Sequence, residues 1–240
     1  MDLDGTLLAG SLRQRRQFYG WLRRRRQAVL QVFATGRSLH SLAPLLAVPP
    51  PELPLPPPHL VIVDGGCTVA CGQRLTPIPP VIAPIEARWR GRAAAVAPLL
   101  SGTPGLSPEP LHSVRRLAYT VEPARFDHGL IPQIEAHGVD CVLSDQRYFD
   151  VLPAGVNKGS TLRRLLHWLQ LGDVPVVTAG DSLNDLALFE TGLPGVMVGN
   201  AEAALRAQLP RLTSVYPARG DGCAAIAEGL RHFGFAHLLD

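Results

Sequence analysis

The chain has 240 residues, of which 46% are hydrophobic and 18% charged, with a formal net charge of +3. That length suits one domain, or one domain carrying an insertion, and the composition excludes a largely disordered chain. There is no uninterrupted apolar run long enough to span a bilayer and no basic-then-apolar leader, so a cytoplasmic enzyme without a membrane partner is expected.

The positive charge is concentrated early, at Arg13, Arg15, Arg16 and Arg23 to Arg26, yet Leu12, Tyr19 and Leu22 recur at helical spacing through the same stretch. A solvated helix face accounts for that better than a nucleic-acid site, and no nucleic-acid partner is expected. Cys67, Cys71, Cys141 and Cys223 lack paired Cys-x-x-Cys spacing and read as free thiols.

In chain order, the first segment is Met1-Asp2-Leu3-Asp4-Gly5-Thr6. Asp2 and Asp4 stand at i and i+2, so on an extended backbone they face one side, and Gly5-Thr6 lets the chain turn away. A motif of this kind normally ends a strand of several apolar residues, but only Met1 precedes Asp2. The expectation is an upstream start, a piece cut from a longer chain, or a stump of a strand that loses pairing on both flanks and with it some stability.

Residues 11–27 read as a helix and 29–34 as a buried strand ending in Thr35-Gly36-Arg37. A hydroxyl and a glycine at a strand end, just before a helix start near Ser38, make an anion cradle; the alternative is a plain turn capped by Ser38. A short helix over 39–47 leads to a proline-dense stretch, Pro49 to Pro51 and then Pro54, Pro56, Pro57 and Pro58, which suits a stiff surface connection. A strand over 60–63 closes at Asp64-Gly65-Gly66.

The core pattern then breaks off. Residues 67–149 read as short strands (67–70, 117–122, 140–143, 147–151) mixed with helices over 82–100 and 129–137, a pattern that suggests a smaller α+β unit with an antiparallel sheet. The expected division is a core of 1–66 and 150–240 with 67–149 inserted. Lys158 opens a helix running to about residue 169, where the helix dipole disfavours a cation, so something negative should offset it. The order Lys-Gly-Ser excludes a P-loop.

Residues 174–177 run apolar into Gly180-Asp181-Ser182-Leu183-Asn184-Asp185. Helices over 183–191, 201–208 and 222–233 then alternate with strands over 195–198 and 213–216. Such alternation argues an α/β fold with a doubly wound parallel sheet. At the carboxyl edge of that sheet Asp2, Asp4, Asp181 and Asp185 would converge, and such a cluster requires a cation.

Four segments, Asp2-Leu3-Asp4-Gly5-Thr6-Leu7, Thr35-Gly36-Arg37, Lys158 within Asn157-Lys158-Gly159, and Gly180 to Asp185, resemble in order and spacing the four signature motifs of the haloacid dehalogenase superfamily of phosphohydrolases. The resemblance implies phosphomonoester hydrolysis. Asp2 would be the nucleophile that forms an aspartyl-phosphate, and Asp4 the acid and then the base. Mg²⁺ would be held by Asp2, the Asp4 backbone carbonyl and Asp181. Thr35, Gly36, Lys158 and Asn184 would bind the substrate phosphate, with Asp185 as an orienting residue behind them.

By the same resemblance, 67–149 is the cap that one branch inserts between its second and third motifs. The run Arg147 to Gly159 resembles sucrose-phosphate phosphatase and related enzymes, which implies a small phosphorylated sugar or disaccharide as the partner. Asp64 reads equally as a sugar contact or a turn residue. Two alternatives stay open: a non-catalytic phosphatase-like module of a glycosyltransferase system, with a fusion partner upstream, and a phosphomutase of the same superfamily.

Overall fold

A computed structural model describes residues 1–47, 53–110, 113–144 and 146–239. Helix α1 (Leu12–Arg24) starts at Ser11, whose side chain accepts from the Gln14 backbone while Gln14 reaches back to Ser11. Phe18, Tyr19, Trp21 and Leu22 of α1 are buried, and Arg13, Arg16, Arg23 and Arg24 are exposed. Strand β1 (Val32–Ala34) leads through α2 (Leu39–Ala47) to β2 (Leu60–Val63), which pairs with it in parallel. Between them, residues 53–58 form neither helix nor strand, and Pro49 to Pro51 lie outside the described residues.

At Asp64–Gly66 the chain makes a tight turn, with Asp64 at φ +56°, and β3 (Thr68–Cys71) returns antiparallel on β2. The strand expected over 67–70 therefore extends the core sheet and does not pair with the antiparallel sheet that follows. The single helix expected over 82–100 is two, α3 (Pro79–Trp89) and α4 (Arg92–Leu100), broken where Gly91 takes φ +77°.

Next come β4 (Leu106–Pro108), β5 (Leu117–Val121), helix α5 (Leu130–Glu135), β6 (Val139–Ser144) and β7 (Tyr148–Pro153). These strands form an antiparallel sheet in the order β4-β5-β7-β6. Along β7, Phe149 and Val151 pack with Trp89, Val96 and Val121, whereas Tyr148 and Asp150 point to the opposite side, as the two-residue period of a strand requires.

Helix α6 (Lys158–Trp168) returns to the core, followed by β8 (Thr178–Gly180), α7 (Leu186–Phe189), β9 (Gly195–Met197), α8 (Ala203–Arg206), β10 (Val215–Pro217), α9 (Gly222–His232) and α10 (Ala236–Leu239). Strands β8, β9 and β10 are parallel, in the order β10-β9-β8.

The two three-stranded sheets meet at Met1 and Asp2. The Asp2 N–H donates to the Ala179 carbonyl at 2.9 Å, the Ala34 N–H donates to the Met1 carbonyl at 2.8 Å, and the Met1 ammonium donates to the Val32 carbonyl at 2.9 Å. The pairing expected to be lost on both flanks is thus carried by two residues. Both sheet faces are covered: Val61 and Val63 pack with α1 and α9, and Ile62 between them packs with α6. The result is a doubly wound α/β core carrying an antiparallel α+β unit. Among the described residues, no helix is long and apolar enough to cross a membrane, and the cysteines are unpaired thiols.

Candidate active site

Lys158 is 0% exposed. Asn157 caps α6 and so fixes where the lysine leaves the helix. The lysine Nζ donates to Asp2 Oδ1 at 2.8 Å, Asn184 Oδ1 at 2.5 Å and Asp185 Oδ1 at 2.6 Å, which uses all three ammonium hydrogens. Burial lowers its pKa, but the Asp185 and Asp2 carboxylates outweigh that and hold it above the usual lysine range. The Asp2 carboxyl is pushed well up by burial and next by Asp185, with Lys158 opposing both.

Asp185 is committed on both oxygens. Oδ1 takes the lysine, and Oδ2 accepts from the backbone N–H groups of Asp181 at 2.9 Å and Ser182 at 3.2 Å. Asp181 Oδ1 accepts from the Thr6 hydroxyl at 2.6 Å, so the first and last motifs are hydrogen-bonded directly. Carboxylate oxygens of Asp2, Asp181 and Asp185 lie within 4.8 Å of one another. An all-oxygen donor set of this charge fits a hard cation such as Mg²⁺. With Asp185 engaged as it is, Asp2 and Asp181 are the better donors.

The second motif hangs from the end of β1. The Thr35 N–H donates to the Ile62 carbonyl at 2.8 Å, and its hydroxyl accepts from the Arg37 N–H at 3.1 Å. Asn184 Nδ2 would stand 3.9 Å from a Cβ placed on Gly36, so the amide overhangs this loop. Arg37 grips Asp4 with a two-pronged contact, Nε to Oδ2 at 2.7 Å and Nη2 to Oδ1 at 2.6 Å. The hydrogen bonds that Arg37 donates to Asp4 raise the arginine pKa further. Sequence reasoning gave this arginine no role of its own; its position directly after Thr35-Gly36 was the available signal.

These groups open onto a cavity of about 590 Å³. Asp2, Asp4, Thr35, Gly36, Asp181 and Asn184 line it from the core, while Lys158 and Asp185 lie beneath. The antiparallel sheet and the segments leading into it contribute the facing wall, with Glu109, Arg116, Tyr119, Ser144, Tyr148 and Asp150.

Asp64 does not line the cavity. Its Oδ2 accepts from the Thr68 hydroxyl at 2.8 Å and its Oδ1 sits 3.5 Å from Arg116 Nε, so it backs Arg116 from behind and does not face a sugar. Arg116 in turn donates to Asp150 Oδ1 at 2.8 Å. Burial raises both carboxyls against the pull of Arg116, Asp150 to about 6.

The profile of the sucrose-6F-phosphate phosphohydrolase family matches residues 1–234. The chain belongs to that family. By family it is a sugar-phosphate phosphatase of the haloacid dehalogenase superfamily, a phosphoric monoester hydrolase. Over 235 residues it is 37% identical to the glucosylglycerol-phosphate synthase of Pseudomonas anguilliseptica, a match that covers 98% of this chain but 30% of that relative. It is 29% identical over 257 residues to the mannosylfructose-phosphate phosphatase of Agrobacterium fabrum, covering 97% of this chain and 95% of the relative. Among solved structures, the sucrose-phosphatase from Synechocystis sp. PCC6803 in complex with sucrose and phosphate superposes with a TM-score of 0.85 at 25% identity, over 97% and 96% of the two chains.

Proposed function

We propose that the chain is a Mg²⁺-dependent phosphatase that hydrolyses the phosphomonoester of a sugar or disaccharide through an aspartyl-phosphate on Asp2. The observation that carries this reading is the buried Lys158 ammonium, held between Asp2 and Asp185 under the floor of the cavity. A fixed cation there neutralises charge on a transferring phosphoryl group without reorganisation, which is where most phosphoryl-transfer catalysis resides.

Asp2 attacks phosphorus, and Asp4 gives a proton to the departing sugar oxygen and later takes one from the hydrolytic water. Thr35, the Gly36 backbone and Asn184 hold the phosphoryl oxygens. Lys158, with its three hydrogens on Asp2, Asn184 and Asp185, acts from beneath through its charge, and Asp185 orients it. Asp2, Asp181 and the Asp4 carbonyl are the metal donors; Mg²⁺, when bound, supplies further charge neutralisation. The expected division, a core of 1–66 and 150–240 with a cap of 67–149, shifts at both joints. Strand β3 pairs with the core strand β2, and β7 pairs along its whole length with β5 and β6, so the cap begins after β3 and ends with β7. The cavity volume suits a ligand of disaccharide size, and the relatives named for mannosylfructose phosphate and sucrose phosphate favour that class.

The synthase relative favours a second reading, a phosphatase-like module working beside a glycosyltransferase. A module without catalysis has no need of Asp2, Asp4, Lys158 and Asp181 together, and the hydrolase reading ranks first. Phosphate release from a panel of sugar and disaccharide phosphates, with Mg²⁺ and with chelator, tests the proposal. Metal-dependent release that disappears in Asp2→Asn is the expected result, and equal turnover in that variant would rule out Asp2 as the nucleophile.

A further inference from the structure

We infer that Arg37 is a positioning residue for Asp4, fixing the orientation from which the Asp4 carboxyl exchanges protons with the substrate and with water. The inference rests on the role proposed above for Asp4. In that role Asp4 gives its proton to the ester oxygen as the P–O bond breaks and the bond from Asp2 to phosphorus forms. It then takes a proton from the water that releases phosphate and restores Asp2. Both transfers need the carboxyl in one place. As the base it is the carboxylate that Arg37 grips on both oxygens; as the acid it carries the proton on one oxygen, turned to the ester, while the other stays on Arg37.

Nothing in the packing around Asp4 holds it there. Its side chain is 54% exposed, and the next residue, Gly5, sits at φ +72° in a turn. A half-exposed carboxylate in such a loop samples several rotamers. Arg37 removes that freedom, because a planar guanidinium that pairs with both oxygens fixes direction as well as distance. The arginine is itself anchored by its backbone: its N–H donates to the Thr35 hydroxyl at 3.1 Å and its carbonyl accepts from the Asp64 N–H at 2.8 Å. The fork therefore stands on the loop that carries Thr35 and Gly36, and it references the position of Asp4 to the phosphate-binding loop. An ion pair exposed to this degree adds little to stability, so its value lies in geometry.

The test is steady-state kinetics of Arg37→Ala and Arg37→Lys, each in the wild-type and the Asp4→Asn background, on sucrose-6F-phosphate and on p-nitrophenyl phosphate. Loss of orientation at a reacting group lowers kcat by roughly 10- to 100-fold. Arg37→Ala is expected to show that loss on the sugar ester with KM nearly unchanged, and Arg37→Lys to recover part of it. The defect should be smaller on p-nitrophenyl phosphate, whose leaving group departs without a proton, and should vanish in the Asp4→Asn background. A rise in KM that is equal in both backgrounds would make Arg37 a direct substrate ligand and overturn the inference, as would an unchanged kcat. If Arg37→Ala fails to fold, Arg37→Lys alone decides, by whether its kcat defect persists without Asp4. A wild type that releases no phosphate from any ester of the panel above overturns the proposed function and this role together. A working wild type with an unaffected Arg37→Ala overturns this role alone.

Discussion

Gly5 and Asp181 approach so closely that a Cβ on the first would stand 2.1 Å from Oδ2 of the second. Gly5 also holds φ +72°, which L residues with a Cβ rarely adopt. Gly5→Ala is therefore expected to push Asp181 out of place and to lower kcat/KM by about 100-fold. The strained turn should remove roughly 1–3 kcal/mol of stability. Urea unfolding and phosphate release on the same preparation separate the two effects, and wild-type turnover in the variant would mean that Asp181 is not needed where it stands.

Lys158→Met leaves Asp2 and Asp185 buried without their shared cation. Breaking a buried pair by removing one partner destabilises by about 3–5 kcal/mol, and turnover should be lost with it. The double variant Lys158→Met/Asp185→Asn removes one of the stranded charges and should recover part of the stability but none of the activity. Denaturant midpoints of the two variants check this order; equal midpoints would mean that burying Asp185 without the lysine costs nothing.

Metal binding has a readout that needs no turnover. A cation that binds the folded chain at 100 times its dissociation constant stabilises by about 2.7 kcal/mol, which for a chain of this size raises Tm by roughly 5–10 °C. Melting of EDTA-treated protein with added MgCl₂ should show the rise, and Asp181→Asn should abolish most of it. A rise of the same size in Asp181→Asn would place the ion elsewhere.

Asp150 should make stability fall with pH. Its folded pKa is raised from 3.8 to about 6, first by burial, so folding favours the protonated carboxyl. The stabilisation is fully present below pH 3.8 and is lost as pH rises through about 6. The decline can reach about 1.4 kcal/mol per pH unit between those values. Asp150→Asn carries no titrating group there, so the stability of wild type relative to this variant should fall from pH 4 to 7. Urea titrations at several pH values measure the difference, and a flat difference would show that Asp150 does not titrate in that window.

How much of this was legible in the chain depends on the range of the interaction. Strand β2 and helix α2 were readable because an unbroken apolar run and a capped helical pattern are local signals. The apolar run over 174–177 pointed to the approach of β8 but not to its bounds: Pro175 lacks a donor N–H, and regular pairing begins only at Thr178. The break between α3 and α4 turned on Gly91, which a helical pattern otherwise tolerates. Strand β4 is three residues long and exists by virtue of pairing with β5.

At the site, each motif announced its own residues, but no local pattern joins Arg37 to Asp4 or Arg116 to Asp64 and Asp150. Those pairs arise from packing between distant segments. Asp64 looked like a sugar contact or a turn residue for the same reason: its burial beneath Arg116 is set by a residue that lies in a different, later segment of the sequence.

The hydrogen bond from the Asp2 N–H to the Ala179 carbonyl has a consequence for how the protein is made. On the ribosome Asp2 is synthesised long before Lys158, Ala179 and Asp181, so on the proposed mechanism the residue that attacks phosphorus waits through most of the synthesis of its partners. Contacts of such separation form slowly and close a large loop. On that mechanism turnover waits for β8 to dock beside Asp2, which would make the reaction a report of that closure: a chain cut short before residue 179 keeps Asp2 but lacks the strand that pairs with it.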